Sequence, residues 1–374
     1  MAISYTKDEM FWIWLSSIEG IGPKRFYELV GLFGSPVEIW SASSKELEGL
    51  SFLGSKTKSS LISAKKDEYI EKLFRDLEEK QIRGISRISP YYPQDLSYIF
   101  DPPPVLFVKG NQDVLTLPKN IAIVGSRRCT HYGLEVAEKL ACELSQLGIT
   151  IVSGMARGID TAAHKGSLAA RGATIAVLGC GVDVIYPPEN NRVYKDIMNK
   201  GVLVSEYLPG TLPLAQHFPA RNRIISGMSS GVVVVEAAEK SGAMITVDFA
   251  LEQGREVFAV PGNINSKYSV GPNRLLKEGA RLVTDVYDIM EELNWGSRET
   301  IQKNESQNEV LQLDLFEHGI VELLEGGDLT YDDLVNKTGF PIQKLNSLLT
   351  MLELRGIIKQ LPGKIFSRQQ NIWR

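Results

Sequence analysis

The chain has 374 residues, 43% hydrophobic and 23% charged, with a formal net charge of −4 at neutral pH. That length has room for two or three domains with real cores, and the acidic balance excludes a protein that holds polyanions by bulk charge. Cys129, Cys142 and Cys180 form neither a CxxC nor an even set, which argues for a reducing cytosol, each thiol being read as a small core residue.

Residues 1–85 read as helical, with apolar positions at helix spacing in "MFWIWLSSI" and "YIEKLFRDLEEKQI". The opening residues lack the basic head and small-residue cleavage site of a signal peptide, and no apolar run reaches membrane-span length, so a cytoplasmic location is expected. "GIGPKR", Gly20–Arg25, lies between two helices and resembles a helix-hairpin-helix, whose hairpin offers backbone N–H groups to a DNA phosphate. Residues 1–90 carry 13 basic and 13 acidic residues. Charge therefore leaves DNA contact and protein packing both open. "SPYYPQDLSYIFDPPPVLFVKGN" cannot be helical through Pro102–Pro104 and reads as a packed connector.

From Ile121 onward short β-branched runs recur: "IAIVGS", "ITIVSG", "TIAVLG", "VLVSE", "VVVVEA", "EVFAVPG" and "RLVTD". Most of the gaps carry helical patterns such as "YGLEVAEKLACELSQLG". Strands apolar on both faces, alternating with helices, predict an α/β fold with a parallel doubly wound sheet. "GSRETIQKNESQNEVLQ", 296–312, is polar and aperiodic, hence a linker. Beyond it, 313–374 shows two helices around a Gly-containing turn and two short strands about "LPGK", the pattern of a winged helix-turn-helix. Its second helix offers only Lys344 and Arg355 as cations, few for sequence-specific duplex reading. A non-specific or protein-binding wing is the favoured reading.

Ligands of an open parallel sheet sit beyond the carboxyl ends of its strands. Ser126, Arg127 and Arg128 follow the first strand, and Gly154, Met155, Ala156, Arg157 and Gly158 the second. Glycines there admit an anion to backbone N–H groups, and arginines supply forks for phosphate oxygens. "HFPARNRIIS", 217–226, precedes the fifth strand and reaches the same rim if the chain doubles back. Phe218, Arg221, Asn222 and Arg223 would then combine a stacking face with phosphate donors, as unpaired nucleic acid requires. The competing reading makes Phe218 core and the arginines solvated or salt-bridged. Residues 121–223 hold 11 basic and 8 acidic residues, a net of +3 inside an acidic chain.

Catalytic signatures are weak. "GMSSG", Gly227–Gly231, matches the nucleophile elbow, but its strand follows Ser229 instead of preceding it. His131, His164, His217 and His318 show no metal spacing; His164 is placed on a helix surface or the rim. Glu236 ends the fifth strand, where capping a loop or pairing an arginine is favoured over acid–base work. The order of motifs "VGSRRCTHYG", "VSGMARGIDTAAHKGSL", "AVLGCGVDVIYPPEN", "HFPARNRIISGMSSGVVVVEA" and "REVFAVPGNI…GPNRLLKEGA" resembles the bacterial DNA-processing protein A (DprA, or Smf) family over about residues 85–290.

The resemblance implies an extended Rossmann-like core, 86–295, flanked by the helical helix-hairpin-helix-like domain, 1–85, and the winged helix, 313–374. It also implies a dimer that binds single-stranded DNA in a positive pocket and helps load the RecA recombinase during natural transformation. That role is non-enzymatic and needs no cofactor or metal. Carried onto this chain, the pocket takes Ser126, Arg127, Arg128, the Gly154–Gly158 loop, Phe218, Arg221 and Asn222. The polar residue the family places before the phenylalanine falls on Gln216 or His217. A rival is a nucleotide-processing enzyme of phosphoribohydrolase type on the same fold, although Glu236 precedes the glycine loop here where that class has it after. The dimer surface is expected around "SGAMITVDFALEQ".

Overall fold

The computed structural model describes residues 5–296, 315–354 and 357–368. They form two compact units, one ending at Leu293 and one starting at Asn294. The first begins with helices α1 (Lys7–Ser16), α2 (Pro23–Phe33), α3 (Pro36–Ser41), α4 (Ser44–Glu48), α5 (Ser55–Ser63) and α6 (Asp67–Glu79). A capping box starts α1: Thr6 Oγ1 accepts the Glu9 N–H at 3.3 Å while Glu9 Oε2 accepts the Thr6 N–H at 2.9 Å. Trp14, Phe26, Leu29, Leu47 and Leu61 pack into one buried cluster, and the Trp14 indole donates to the Ala64 carbonyl at 2.9 Å. Ile13 turns instead into the core of the sheet beside Phe107 and Leu203.

Strands β1 (Arg83–Ser86) and β2 (Val105–Gly110) pair antiparallel and join the sheet through β2. The domain boundary expected at residue 85 thus falls inside a strand, and the supposed connector contributes another. There follow β3 (Asn120–Val124), α7 (His131–Gln146), β4 (Thr150–Ser153), α8 (Ile159–Ala169), β5 (Thr174–Val177), α9 (Asn191–Lys200) and β6 (Val202–Ser205). The unit closes with α10 (His217–Gly227), β7 (Gly231–Val234), α11 (Gly242–Glu252), β8 (Glu256–Ala259), α12 (Val270–Lys277), β9 (Arg281–Leu282) and α13 (Val286–Glu292). All seven β-branched runs become parallel strands, in the sheet order β1-β2-β6-β5-β4-β3-β7-β8-β9. Strands β3 to β7 are buried along their whole length, as helices on both faces require. The stretch expected as a dimer surface forms α11, whose Ala243, Met244, Thr246, Val247 and Ala250 are buried in its own unit. No helix among the described residues is long and apolar enough to cross a membrane.

His164 corrects its placement on a helix surface: it is fully buried in α8. Thr174 Oγ1 donates to the Ile151 carbonyl at 2.8 Å and stands 2.8 Å from His164 Nδ1, so Nδ1 carries the ring proton. Burial, reinforced by the charge of Arg221, lowers its pKa from 6.5 to about 3. Folded His164 stays neutral while the unfolded chain protonates it, so stability falls as pH drops through the window from about 6.5 to about 3. For this group the slope is about 1.4 kcal/mol per pH unit. Urea unfolding at about pH 7 and about pH 5 should therefore show a smaller acid loss in His164→Gln than in the parent chain. Equal losses would assign the titration elsewhere.

The second unit holds α14 (Leu315–Glu325), β10 (Leu329–Thr330), α15 (Tyr331–Thr338), α16 (Ile342–Leu354), β11 (Ile358–Leu361) and β12 (Ile365–Arg368). Its strands form an antiparallel sheet in the order β10-β12-β11, over a core that includes Ile320, Leu334, Leu349 and Phe366. Lys344 Nζ rests 3.0 Å from the centre of the Phe316 ring, so this cation of the second helix of the motif is held on an aromatic face. Arg355 and, apart from Gly296, the expected linker lie outside the described residues.

Candidate nucleic-acid interface

The chain steps outward from β3 through β4, β5 and β6, returns beside β3 as β7, and leaves through β8 and β9. At that reversal the loops after β3 and β7 diverge and open a crevice at the carboxyl ends of the strands. A cleft of about 790 Å3 lies there, lined among others by Ser126, Arg127, Arg128, Phe218, Asn222 and Gly242. Helices α7, α8, α10 and α11 each run back from this rim, so their positive N-terminal ends converge on it.

Arg127 and Arg128 are exposed, and among the described residues neither has a carboxylate within ion-pair distance. The Arg127 guanidinium lies 5.2 Å from the centre of the Phe218 ring, and that half-buried ring also packs against Tyr186 at 5.3 Å. The loop is held from below: Ser126 Oγ donates to the Arg128 carbonyl at 2.6 Å, and the Ser126 N–H donates to the Glu236 carbonyl at 2.6 Å. Gly158, at φ +76, lets α8 approach; a Cβ there would stand 2.4 Å from the Ser126 oxygen. "HFPARNRIIS" does double back, as all but the last residue of α10. Phe218, Arg221, Asn222 and Ile225 all line the cleft, a spacing that puts them on one helix face.

Several expected ligand residues do other work. Arg221 is 3% exposed. Its Nη1 donates to the Gly154 carbonyl at 2.8 Å and also to that of Val177, tying the ends of β4 and β5 from beneath the cleft. Burial lowers its pKa to about 10, against the restoring charge of neighbouring Asp160. Burial likewise raises the Asp160 carboxyl, with Arg221 pulling it back. Arg223 does not line the cleft: it makes a bidentate pair with Glu206, 2.7 Å for each bond, and a 2.9 Å contact to Asp101. Arg157 is exposed but paired with Glu189.

Gly154 and Met155 are buried around the Arg221 contact, whereas Ala156 does line the cleft. His217 stacks on Tyr207 at 4.0 Å, and Gln216 is the exposed N-cap of α10. The residues that reach the cleft ahead of Phe218 are instead Pro213 and Ala215. Lys267 and Tyr268, together with Ser241 and Gly242 at the start of α11, also line it. Ser241 and Gly242 fall in the expected dimer surface, and the sequence leaves Lys267 and Tyr268 unassigned. Lys267 and Tyr268 follow the run "EVFAVPG", so position after a strand was the available signal.

The residues weighed for chemistry are engaged structurally. Ser229 is fully buried and donates to the Ile225 carbonyl at 2.9 Å. Glu236 is 2% exposed and accepts the Thr130 hydroxyl at 2.6 Å and the Thr130 N–H at 2.7 Å. It caps the entry to α7, a third option beside the loop and arginine partners expected. Among the described residues no group of His, Cys, Asp and Glu is arranged to hold a metal.

The family model for DNA recombination-mediator protein A matches residues 83–294, more than half of the chain. The chain belongs to the DNA recombination-mediator protein A family. A model of the DprA winged helix domain matches residues 307–364. The DNA processing protein DprA of Streptococcus pneumoniae is 48% identical over 218 residues, 58% of this chain and 77% of that protein. Protein Smf of Escherichia coli is 42% identical over 299 residues, 77% of this chain and 78% of its own length.

The X-ray structure of DprA from Streptococcus pneumoniae superposes with a TM-score of 0.64 at 38% identity, covering 78% of this chain and 99% of that one. Helicobacter pylori DprA, solved for its single-stranded DNA binding mode, gives a TM-score of 0.52 at 33% identity over 57% of this chain and 95% of that one. The recombination-mediator match starts at the first residue of β1 and so takes in both antiparallel edge strands. The whole switch-point cleft lies inside the family region.

Proposed function

We propose that this chain is a DNA recombination mediator of transformation whose switch-point cleft holds single-stranded DNA with little preference for base. The Arg127–Phe218 pair carries the reading. An unpaired nucleotide would lay its base on the Phe218 ring, as Arg127 turns to the phosphate with Arg128. The start of α11, with Gly242 lining the cleft, would turn the Gly242 N–H and positive helix-end potential to the same phosphate, the N–H groups of Ser241, Ala243 and Met244 being bonded within the turn. Such focusing explains how an acidic chain would hold a polyanion. Base-edge readout is poor here because the Asn222 amide is occupied, accepting from Arg221 Nε at 3.2 Å and donating to the Gly242 carbonyl at 3.3 Å.

The finer steps of the role follow from family membership and belong to the same proposal: protecting the incoming strand, passing it to the RecA recombinase, and pairing as a homodimer. We infer binding, not catalysis, at the cleft, since the hydroxyl of Ser229 and the carboxylate of Glu236 are both committed within the fold. Titrating a dT oligonucleotide and its duplex against the full chain at two salt concentrations tests it. The single strand should bind more tightly, and its affinity should fall as salt rises. Equal affinity for the duplex overturns the reading. Release of base from a nucleoside monophosphate would instead favour the phosphoribohydrolase alternative.

A further inference from the structure

The cleft carries a second cation–aromatic pair that the reading above does not use. Lys267 Nζ stands 5.0 Å from the centre of the Tyr268 ring, repeating the arrangement of Arg127 on Phe218. Lys267 is exposed and Tyr268 half-buried, and among the described residues no carboxylate lies within ion-pair distance of Lys267. One peptide group fixes the spacing of the two pairs. The Glu236 carbonyl accepts the Ser126 N–H at 2.6 Å, and the N–H of the same peptide, that of Ala237, donates to the Tyr268 carbonyl at 2.7 Å. Carbonyl and N–H of a trans peptide point in opposite directions, so the Arg127 loop and the Tyr268 loop flank the exit of β7. A further bond, from the Gly271 N–H to the Ala237 carbonyl at 2.9 Å, pins the Tyr268 segment. Beyond it lies a second cleft of about 510 Å3, lined by Thr130, Tyr132, Asn263, Ser266 and Ser269.

We infer that Lys267 and Tyr268 form a second nucleotide subsite, which carries the single strand on from Phe218 across the exit of β7 towards the polar cleft of Tyr132 and Ser266. The inference rests on the cleft reading and extends it by direction and length. Each pair supplies what one nucleotide needs: a ring for a base of any identity and a cation for its phosphate. Because the Phe218 ring stands on α10 and the Tyr268 ring on the segment after β8, successive bases would be held apart and not stacked on each other.

Fluorescence anisotropy with a dT series of increasing length, on the full chain, tests this. Lys267→Ala should reduce the slope of log affinity against log salt by about 0.7. Tyr268→Leu should weaken binding by roughly 5- to 150-fold with the slope unchanged, and Tyr268→Phe should restore it. These losses should be confined to oligonucleotides long enough to span both pairs. Unaltered thermal unfolding of the variants would assign them to the surface. Full affinity in Lys267→Ala and Tyr268→Leu at every length, with binding lost in Phe218→Ala, overturns the second subsite and leaves the cleft reading standing. Full affinity in all three variants overturns both.

Discussion

Replacing Arg223 by alanine should destabilise the first unit by roughly 3–5 kcal/mol, the usual consequence of stripping one partner from a buried ion pair. Its side chain is 5% exposed and that of Glu206 only 10%, so the carboxylate left behind would be a charge without solvent or partner. Burial works against the guanidinium's charge, yet Glu206 and then Asp101 more than offset it and hold the pKa above its usual value. The bond from Arg223 Nε to Asp101, at 2.9 Å, also fastens α10 to the proline-rich segment ahead of β2. Replacing both partners, Arg223→Met with Glu206→Leu, should recover most of the loss, because an apolar pair of similar volume needs no desolvation. Urea unfolding of the three proteins measures this. A single variant as stable as the parent would mean that Glu206 finds water or another cation. The folded fraction of Arg223→Ala should keep its affinity for single-stranded DNA, which separates this arginine from the cleft.

The sheet was legible because its signal is local. Runs such as "IAIV" and "VVVV", 121–124 and 232–235, are apolar at four successive positions, and only a strand covered on both faces needs that. Strand β2 was missed for the converse reason: "VLFVKG" follows three prolines, and its partner β6 is far along the chain. The candidate site was legible in part. Position after a strand found Arg127 and Arg128, and the aromatic ahead of "RNR" found Phe218. Arg223 could have been excluded by helix geometry, since five residues at about 100° each turn it roughly 140° away from Phe218. What forms its buried pair, Glu206 and Asp101, is supplied by distant chain, and no local pattern announces it. Arg221 shares the Phe218 face but lies one layer deeper, and Gly154 is what makes room: a Cβ there would sit 2.6 Å from the Arg221 guanidinium. A glycine after a strand was read as space for a ligand anion. Here it is space for the protein's own cation.

Phe218→Ala should weaken single-stranded DNA binding by about 1–3 kcal/mol, roughly 5- to 150-fold, while leaving its salt dependence unchanged. The ring's contribution is stacking, which releases no counterions, so only the intercept of log affinity against log salt should move. Arg127→Ala should behave differently. It removes a phosphate contact, lowering the slope by about 0.7, and it also removes the guanidinium now 5.2 Å from the Phe218 ring. The two substitutions should therefore not be additive, because with either gone the other loses its neighbour. Stability should change little in both, since Arg127 is exposed and Phe218 only half-buried. That contrast with Arg223, five positions along the same helix from Phe218, is the sharpest separation available between holding the fold and holding the strand. A fall in slope for Phe218→Ala, or affinities unchanged in both variants, would remove the ring and the guanidinium from the binding surface.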